Sequence, residues 1–514
     1  MAPARLYAAQ PHLLRGTIVT VEIDITKNTL HAFSVVGLPD KAVDEARDRV
    51  SAALKNSGFT SPKSQNQKIV VSLSPADLKK EGVYYDLPIA LGYLLADEII
   101  SFDPQNKLFL GELSLGGDVL PVRGVLALVE EAKRKGFTEV FVPEKNAREA
   151  AVVEGVTVYP VATLARIVAH LDTKKPQEGS EIVPQPVTVP EVSHNIAPVD
   201  FADICAQESA KRGLEIAAAG GHNIALYGPP GTGKTMLARA LVGILPSLDL
   251  DSVLELSAIH SIAGVLREGE LITAPPFRSP HHSASHVSII GGGATPKPGE
   301  VTLAHRGVLF LDEFPEFEKR VIEALRQPLE DRVVSISRAK GTALFPAALV
   351  LIAAMNPCPC GYKTSKVKKC SCSASDLMRY ERKLSGPITD RIDLWVVVPE
   401  VSYEVLGDET LRGESTGVVR ERVLRARARS EKRLKHAERL IRTNAELSTK
   451  ELARFANITP EITAVLNQSA EKLGLSARAY HRVIKLARTI ADLDDKDEIE
   501  LPHILEALQY RPKL

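Results

Sequence analysis

Apolar residues in the first third of the chain follow two different spacings. Between Thr17 and Thr26 they almost alternate with polar residues, which predicts a strand. Residues 40–57 place them at helical spacing after the start signal Leu38-Pro39-Asp40. Strands near 68–73 and 108–113 and helices near 87–96 and 124–135 continue the series. The pattern predicts an α/β domain over residues 1–171.

The apolar period disappears between residues 172 and 199, where five prolines stand among charged and small residues. Such a composition predicts a linker. A second α/β pattern begins at Phe201, and the strands stop after about Glu400. We therefore predict an α/β multidomain chain with a second α/β domain over residues 200–400 and a helical domain over residues 401–514.

Composition and charge restrict the class of protein. Of the 514 residues, 44% are hydrophobic and 25% are charged, as in ordinary globular proteins. The longest apolar runs, such as Leu344 to Met355, are shorter than the ~18 residues that span a bilayer, so no membrane association is expected. The segment after Met1 lacks the apolar core of a signal peptide, which predicts a cytoplasmic protein. Because 64 basic residues balance 64 acidic ones, any contact with DNA must come from local charge.

A glycine-rich segment carries the strongest chemical signal. An apolar strand at 223–227 precedes it and a helix at 236–245 follows it, and its residues are Gly228, Pro229, Pro230, Gly231, Thr232, Gly233, Lys234 and Thr235. This is the complete G-x-x-x-x-G-K-T pattern in its strand, loop, helix setting. Its backbone N–H groups are expected to surround phosphate oxygens of ATP, with Lys234 at the β- and γ-phosphates and Thr235 as a ligand of Mg²⁺.

Two further apolar strands end in polar residues that suit ATP hydrolysis. Strand 307–311 leads into Asp312, which we expect to hold Mg²⁺, and Glu313, which we expect to polarise the attacking water. Strand 348–353 leads to Asn356, whose amide is suited to orient that water. From its position alone, Asn356 is equally compatible with a simple turn before Pro357.

Four of the five cysteines lie close together in the sequence. Cys358 and Cys360 form one C-x-C pair, and Cys370 and Cys372 form another. In a reducing compartment such thiols fit a tetrahedral Zn²⁺ site better than disulfides. The spacing differs from the usual C-x-x-C knuckle, so free thiols or a redox pair are the alternatives to structural zinc.

Motifs on both sides of these residues resemble those of the bacterial YifB/ComM family, which are magnesium-chelatase-like AAA+ ATPases. They are Glu215 to Asn223, Ser279-Pro280-His281-His282, Gly291 to Gly293, Leu303 to His305, Leu325 to Glu330, Asn356 to Gly361 and Ser385 to Pro387. The resemblance covers nearly the whole chain. It implies an N-terminal domain similar to the Lon protease C-terminal domain (ribosomal S5-like), a P-loop AAA+ core with a parallel sheet and a C-terminal helical lid.

The resemblance also implies roles for single residues. Asn356 corresponds to sensor 1, Arg391 to the arginine finger that enters a neighbour's ATP site, and Arg478 to sensor 2. A planar guanidinium suits both arginine roles because it binds pairs of phosphate oxygens. A salt bridge with Asp390 or Asp393 is the alternative for Arg391.

Two loops are candidates for DNA contact. His281 and His282 lie in a loop that projects toward the ring pore in related ATPases, so the resemblance implies contact with DNA there. Arg338 and Lys340 lie in a turn between two apolar strands, which resembles the hairpin before sensor 1. A basic hairpin tip that is merely solvated is the alternative.

The segment Leu110 to Val125 resembles the Lon proteolytic domain, whose activity needs a serine nucleophile activated by a lysine. The serine position falls on Asp86, and the lysine position falls near Leu126. Neither residue can do that chemistry. We therefore predict that this domain has no peptidase activity.

The resemblance implies a homo-hexameric ring. It also implies action on single-stranded or branched DNA, because the family includes a DNA helicase for branch migration in natural transformation.

Residues 418–442 contain ten Arg/Lys and three Glu, a net charge of +7, which exceeds what ion pairs within one helix can compensate. This local charge favours DNA. The alternatives are a chelatase-type ATPase that remodels a protein partner and a regulatory ATPase without helicase activity.

Overall fold

The structure is a computed structural model. It describes residues 3–176, 178–190, 199–267, 270–293, 296–338, 341–365, 367–384, 386–402 and 413–511. These residues form two compact units. The N-terminal unit comprises residues up to 191 together with 250–272, and the second unit comprises 192–249 together with 273–514.

The described residues form eighteen strands. Those of the N-terminal unit are β1 (Ala4–His12), β2 (Arg15–Lys27), β3 (Ala32–Val36), β4 (Gln67–Ser74), β5 (Lys107–Phe109), β6 (Glu112–Leu113), β7 (Val119–Leu120), β8 (Glu139–Pro143) and β9 (Thr157–Val161). Those of the second unit are β10 (Ile224–Tyr227), β11 (Phe277–Arg278), β12 (Gly291–Gly292), β13 (Lys297–Pro298), β14 (Val308–Leu311), β15 (Val333–Arg338), β16 (Gly341–Pro346), β17 (Val350–Met355) and β18 (Leu394–Val397).

The α-helices of the N-terminal unit are Lys41–Asn56, Asp86–Ala96, Val125–Arg134, Ala147–Ala150, Leu164–Leu171 and Leu250–Ala263. Those of the second unit are Glu208–Gly220, Lys234–Ile244, His286–Ile290, Glu300–Leu303, Lys319–Ala324, Arg326–Asp331, Ala374–Glu381, Gly386–Thr389, Thr416–Leu434, Thr449–Phe455, Pro460–Leu473, Ala477–Leu493 and Leu501–Gln509. No helix among the described residues is long and apolar enough to cross a membrane.

Two main sheets organise the N-terminal unit. The first has the strand order β1-β2-β4-β3, in which β3 and β4 are parallel and the other pairs antiparallel. The second is parallel, with the order β5-β8-β9. The predicted helix at 40–57 is confirmed as Lys41–Asn56. It begins where the carboxylate of Asp40 accepts a hydrogen bond from the Val43 N–H at 2.9 Å, a typical N-cap.

Asp86 and Leu126, the residues that the sequence comparison predicts at the serine and lysine positions of a Lon-type protease, have structural roles in this unit. Asp86 is buried and forms a two-point ion pair with Arg49, with nitrogen to oxygen distances of 2.7 and 2.9 Å. It also accepts a hydrogen bond from the Leu113 N–H at 3.2 Å. Leu126 is fully buried in the apolar core. The geometry therefore gives neither side chain access to a substrate.

The first part of the predicted linker is bound to the N-terminal unit. The N–H of Ile182 donates to Nδ1 of His170 at 3.1 Å, and the N–H of Gln185 donates to the Val158 carbonyl at 2.8 Å. Ile182 is buried in the core of this unit. Residues 178–190 are therefore fixed along its surface, whereas residues 191–198 lie outside the described part of the chain.

The helix Leu250–Ala263 also belongs to the N-terminal unit, although its sequence lies within the range predicted for the second domain. It packs against the helix Val125–Arg134 through apolar residues. The hydroxyl of Ser261 accepts a hydrogen bond from the Gly124 N–H at 2.8 Å and donates one to Glu149 at 2.9 Å. Glu149 is buried, and burial raises its pKa.

A five-stranded parallel sheet forms the centre of the second unit. Its strand order is β11-β14-β17-β10-β18, and every residue of β14 and β17 is buried, as is usual in parallel sheets covered by helices. The predicted α/β core with a parallel sheet is thereby confirmed. The carboxyl ends of β14, β17 and β10 lie side by side, so the residues that follow these strands meet at one edge.

Candidate nucleotide-binding site

The P-loop connects β10 to the helix Lys234–Ile244, as the sequence predicts. A Cβ at Gly228 would lie 2.1 Å from the carbonyl oxygen of Val398, so this position requires glycine. Lys234 is buried, and its ammonium group donates to the carbonyls of Gly228 and Pro229 at 2.8 and 2.7 Å. Burial lowers the pKa of Lys234, and the nearby Asp312 carboxylate opposes that shift.

Thr235 and Asp312 bring two oxygen ligands together. The hydroxyl of Thr235 donates to Oδ2 of Asp312 at 3.2 Å. Hydroxyl and carboxylate oxygens, completed by phosphate oxygens and water, are the donor set that Mg²⁺ prefers. The two residues therefore fit the magnesium ion expected from the sequence.

Glu313 follows Asp312 in a left-handed backbone conformation, with φ of 51°. Residues other than glycine rarely adopt this conformation, and such strain is concentrated at functional sites. Nδ1 of His282 lies 3.1 Å from Oε2 of Glu313, and the ring of His281 lies against that of His282 with centroids 4.1 Å apart. The structure thus brings His282, a candidate for DNA contact, beside the carboxylate expected to activate water. Sequence spacing gave no sign of this contact.

Asn356 follows β17, which lies between β14 and β10. Its side-chain oxygen accepts a hydrogen bond from Lys234 at 3.3 Å, and its backbone carbonyl accepts one from the Tyr380 hydroxyl at 3.0 Å. A cavity of about 390 Å³ opens in front of these residues. The residues that line it are Pro230, Gly231, Thr232, Gly233, Lys234, Thr235, Met236, Asp312, Glu313, Met355 and Asn356.

The two arginines expected to complete an ATP site lie together around one carboxylate. Arg391 is buried, pairs with Glu330 and donates to the Pro387 carbonyl at 2.6 Å. Arg478 is exposed, and its Nη2 lies 3.4 Å from the other oxygen of Glu330. Neither arginine is among the described residues that line the P-loop cavity. The partner of Arg391 is thus Glu330 and not one of the two aspartates beside it in the sequence.

The four clustered cysteines converge in space. Their Sγ atoms all lie within 4.8 Å of one another, and they can hold one metal ion. Backbone N–H groups of Tyr362 and Ser371 lower the pKa of the Cys360 thiol to about 5, whereas burial and the neighbouring thiol groups raise the pKa of Cys370 and of Cys372. Stabilisation of a thiolate by backbone donors favours metal ligation, which requires the deprotonated form.

The predicted hairpin before Asn356 is present as antiparallel β15 and β16, which pair from Val333 with Pro346 to Arg338 with Gly341. Lys340 lies outside the described residues, as does the side chain of Arg338. These two candidates for DNA contact therefore stay predictions.

Much of the positive charge of residues 418–442 is compensated within the folded chain, which corrects the expectation from the sequence. Arg433 donates to both oxygens of the buried Asp492 at 2.6 and 2.7 Å. Other carboxylates pair with four more arginines: Arg422 with Glu215 and Glu414, Arg429 with Asp497, Arg439 with Glu451 and Arg442 with Asp249. The count from the sequence considered only acidic residues in the same segment, whereas the partners come from other elements.

Comparison with known proteins places these features in one family. Residues 200–406 match the family model of magnesium chelatase, subunit ChlI. Residues 21–146 match subunit ChlI of Mg-chelatase, and residues 413–511 match the C-terminal part of that subunit.

Relatives of similar length support the same assignment. The competence protein ComM of Haemophilus influenzae is 42% identical over 99% of this chain and 98% of its own length. The protein YifB of Escherichia coli is 41% identical over 96% of this chain and 94% of its own. Similarity to Lon protease 2 of Bacillus subtilis is partial, with 31% identity over 29% of this chain and 28% of that protein. Identity at this level over the full length shows that the chain belongs to the YifB/ComM family of magnesium-chelatase-like AAA+ ATPases.

Proposed function

We propose that the protein is a Mg²⁺-dependent ATPase that assembles into a ring and moves DNA strands, as a helicase that drives branch migration in recombination and natural transformation. One observation carries the ATPase part of this proposal. Residues from the P-loop and from the ends of two neighbouring strands meet at one cavity: Lys234, Thr235, Asp312, Glu313 and Asn356.

Each of these side chains has a role that its position supports. The N–H groups at the start of the helix Lys234–Ile244 bind phosphate, and Lys234 neutralises the β- and γ-phosphates. Thr235 and Asp312 hold Mg²⁺, which supplies charge compensation for the phosphates. Glu313 accepts the proton of the attacking water, and the Asn356 amide orients that water.

The arrangement of Arg391 and Arg478 supports a ring. Both guanidinium groups contact Glu330, and neither arginine is among the described residues that line the chain's own P-loop cavity. A phosphate group offers the same pair of oxygens as this carboxylate. We infer that ATP bound to a neighbouring subunit competes with Glu330 for both arginines, and the family implies six subunits.

DNA as the substrate is supported by membership of the family and by the name of the Haemophilus relative, a competence protein. The basic segment 418–442 adds less support than its composition suggests, because five of its arginines are paired with carboxylates. Its exposed cations, Arg425, Lys432 and Lys435, are the described candidates for phosphate contact.

A chelatase-type ATPase that remodels a protein partner is the second candidate. Two observations favour it: the matching family models are named for a magnesium chelatase subunit, and the charge of the basic segment is largely neutralised. In that case the N-terminal unit, which we predict to have no peptidase activity, would serve as the surface that recognises the partner.

The decisive experiment measures ATP turnover by the full-length chain alone and with single-stranded DNA, duplex DNA and a four-way junction. Lys234→Ala is expected to abolish nucleotide binding and turnover, and Glu313→Gln is expected to abolish turnover while nucleotide still binds. Stimulation by DNA together with ATP-dependent movement of the junction supports the proposal. Turnover that no DNA stimulates, with no junction movement, would overturn the DNA motor in favour of a protein-remodelling ATPase.

A further inference from the structure

The cysteine cluster has the geometry of a site for one tetrahedral ion. Sγ of Cys358 lies 3.3 Å from that of Cys360 and 3.7 Å from that of Cys370, and the last two lie 3.5 Å apart. Four thiolates bound to Zn²⁺ at ~2.3 Å are separated by ~3.8 Å at the edges of the tetrahedron. All four cysteines are free of disulfides. The observed spacing is therefore close to that of a four-thiolate zinc site.

The loop between the two cysteine pairs lacks an apolar core of its own. The described residues between Gly361 and Cys372 include no buried apolar side chain, and Val367 is 89% exposed. A segment of this kind has little hydrophobic stabilisation to offset the loss of chain entropy. A bound metal ion would provide the missing constraint.

The same loop packs directly against the nucleotide site. Gly361 has a left-handed φ of 84°, and a Cβ there would lie 2.8 Å from Cδ of Pro230 in the P-loop and 4.0 Å from Cγ of Asn356. The helix Ala374–Glu381 begins shortly after the second cysteine pair. Its Tyr380 returns to the site and donates a hydrogen bond to the Asn356 carbonyl at 3.0 Å. The chain thus leaves Asn356, passes through all four cysteines and comes back to Asn356.

We propose that Cys358, Cys360, Cys370 and Cys372 bind one Zn²⁺ and that this metal site is a brace that holds Asn356 and the P-loop in the arrangement needed for hydrolysis. Binding releases the protons of those thiols that are still protonated to solvent and leaves four thiolates around the ion. The inference rests on the proposed ATPase function. We therefore expect the rate of ATP turnover to depend on whether the cysteine site contains zinc, although none of its four ligands contacts the nucleotide.

The test uses the full-length protein and begins with elemental analysis, which is expected to find one zinc per chain. Removal of zinc with a chelator, followed by assay in excess Mg²⁺, should lower kcat about ten-fold or more with little change in KM for ATP, because a positioning group acts on the reacting geometry. Added zinc should restore kcat. Cys370→Ser should act like zinc removal. Gly361→Ala, which displaces the loop from Pro230 without removing a ligand, should lower kcat while zinc stays bound.

Gly136→Ala is the matched control, because Gly136 has nearly the same φ of 86° and a Cβ added there would have no atom within 4 Å. It should leave kcat unchanged. Absence of stoichiometric zinc, or iron in its place, overturns the site, and unchanged kcat after zinc removal overturns the brace. Trypsin cleavage at the exposed Lys363, Lys368 and Lys369 should become faster without zinc. Trypsin sensitivity can be measured without ATP hydrolysis, so it distinguishes failure of the metal brace from failure of the proposed ATPase function.

Discussion

Nδ1 of His282 lies 3.1 Å from Oε2 of Glu313, so the loop after β11 contacts the carboxylate proposed to activate water. The His282 ring also meets Phe317 edge to face, with centroids 6.4 Å apart, which restrains its orientation from a second side. The same loop is a candidate for DNA contact. This pair is therefore a direct contact between a loop that is a candidate for DNA binding and the carboxylate proposed to activate water.

We expect His282→Ala to lower kcat for ATP hydrolysis about ten-fold with KM unchanged, because the imidazole orients the Glu313 carboxylate. Steady-state ATPase kinetics provide the measurement. His281→Ala is the comparison variant: its ring lies against that of His282 and its Nδ1 lies 2.8 Å from the Ser283 hydroxyl, so it should lower kcat less than His282→Ala does. A rise in kcat for His282→Ala would contradict the positioning role and show that the contact restrains Glu313.

The ion pair between Asp86 and Arg49 should contribute strongly to the stability of the N-terminal unit. Asp86→Ala leaves a largely buried guanidinium without its partner and should cost about 3–5 kcal/mol of unfolding free energy, measured by chemical denaturation. Lys41→Ala removes an exposed pair with Glu45 and should cost at most about 0.5 kcal/mol. Equal effects of the two substitutions would refute the structural role of Asp86.

The same position tests the absence of peptidase activity. Asp86→Ser restores a serine where a Lon-type protease has its nucleophile, but the buried Leu126 cannot act as its base. We expect no ATP-dependent cleavage of unfolded casein by either the original protein or this variant. Cleavage by the original protein would show that another dyad exists.

Arg433 and Lys432 are neighbours in one helix with different expected roles. Arg433→Ala breaks the pair with buried Asp492 and should destabilise the protein by about 3 kcal/mol without changing the DNA affinity of the folded protein. Lys432→Ala, at an exposed position, should leave stability within about 0.5 kcal/mol. If the helix contacts DNA, Lys432→Ala should reduce the slope of log K for DNA binding against log salt concentration by about one. Weaker DNA binding by Arg433→Ala at unchanged stability would contradict this division.

Glu451 should make part of the stability depend on pH. Burial alone would raise the pKa of its carboxyl, but Arg439 and Ser448 together lower that pKa to about 2. A carboxyl whose pKa is lower in the folded than in the unfolded chain stabilises the fold above about pH 4.5 and loses this contribution as the pH falls toward 2. The Tm difference between the original protein and Glu451→Gln should therefore be larger at about pH 7 than at about pH 3. Exposed Glu438→Gln serves as the control, and a Tm difference for Glu451→Gln that is equal at both pH values would refute the prediction.

Much of the nucleotide site follows from local sequence. The P-loop is recognisable because its glycines, lysine and threonine are consecutive, and an apolar run before an acidic pair indicates a strand end wherever it occurs. Asp312 and Asn356 could be placed at one sheet edge because parallel strands align their carboxyl ends. The single strand predicted near 108–113 is divided into β5 and β6. The hydrophobic alternation of β1 and β7 is too weak to predict a strand, because pairing with their neighbours stabilises them.

The sequence by itself determined the two α/β patterns, the P-loop with its acidic partner and the cysteine pairs, because each depends on residues close together in the chain. Tertiary structure decided which basic side chains pair with a carboxylate, to which unit the helix Leu250–Ala263 belongs and which side chain contacts Glu313. Those outcomes depend on partners that are distant in sequence, such as Asp492 for Arg433 and Glu330 for Arg391. A carboxylate neutralises whichever guanidinium folding brings within a few ångströms, and no periodicity along the chain records that distance.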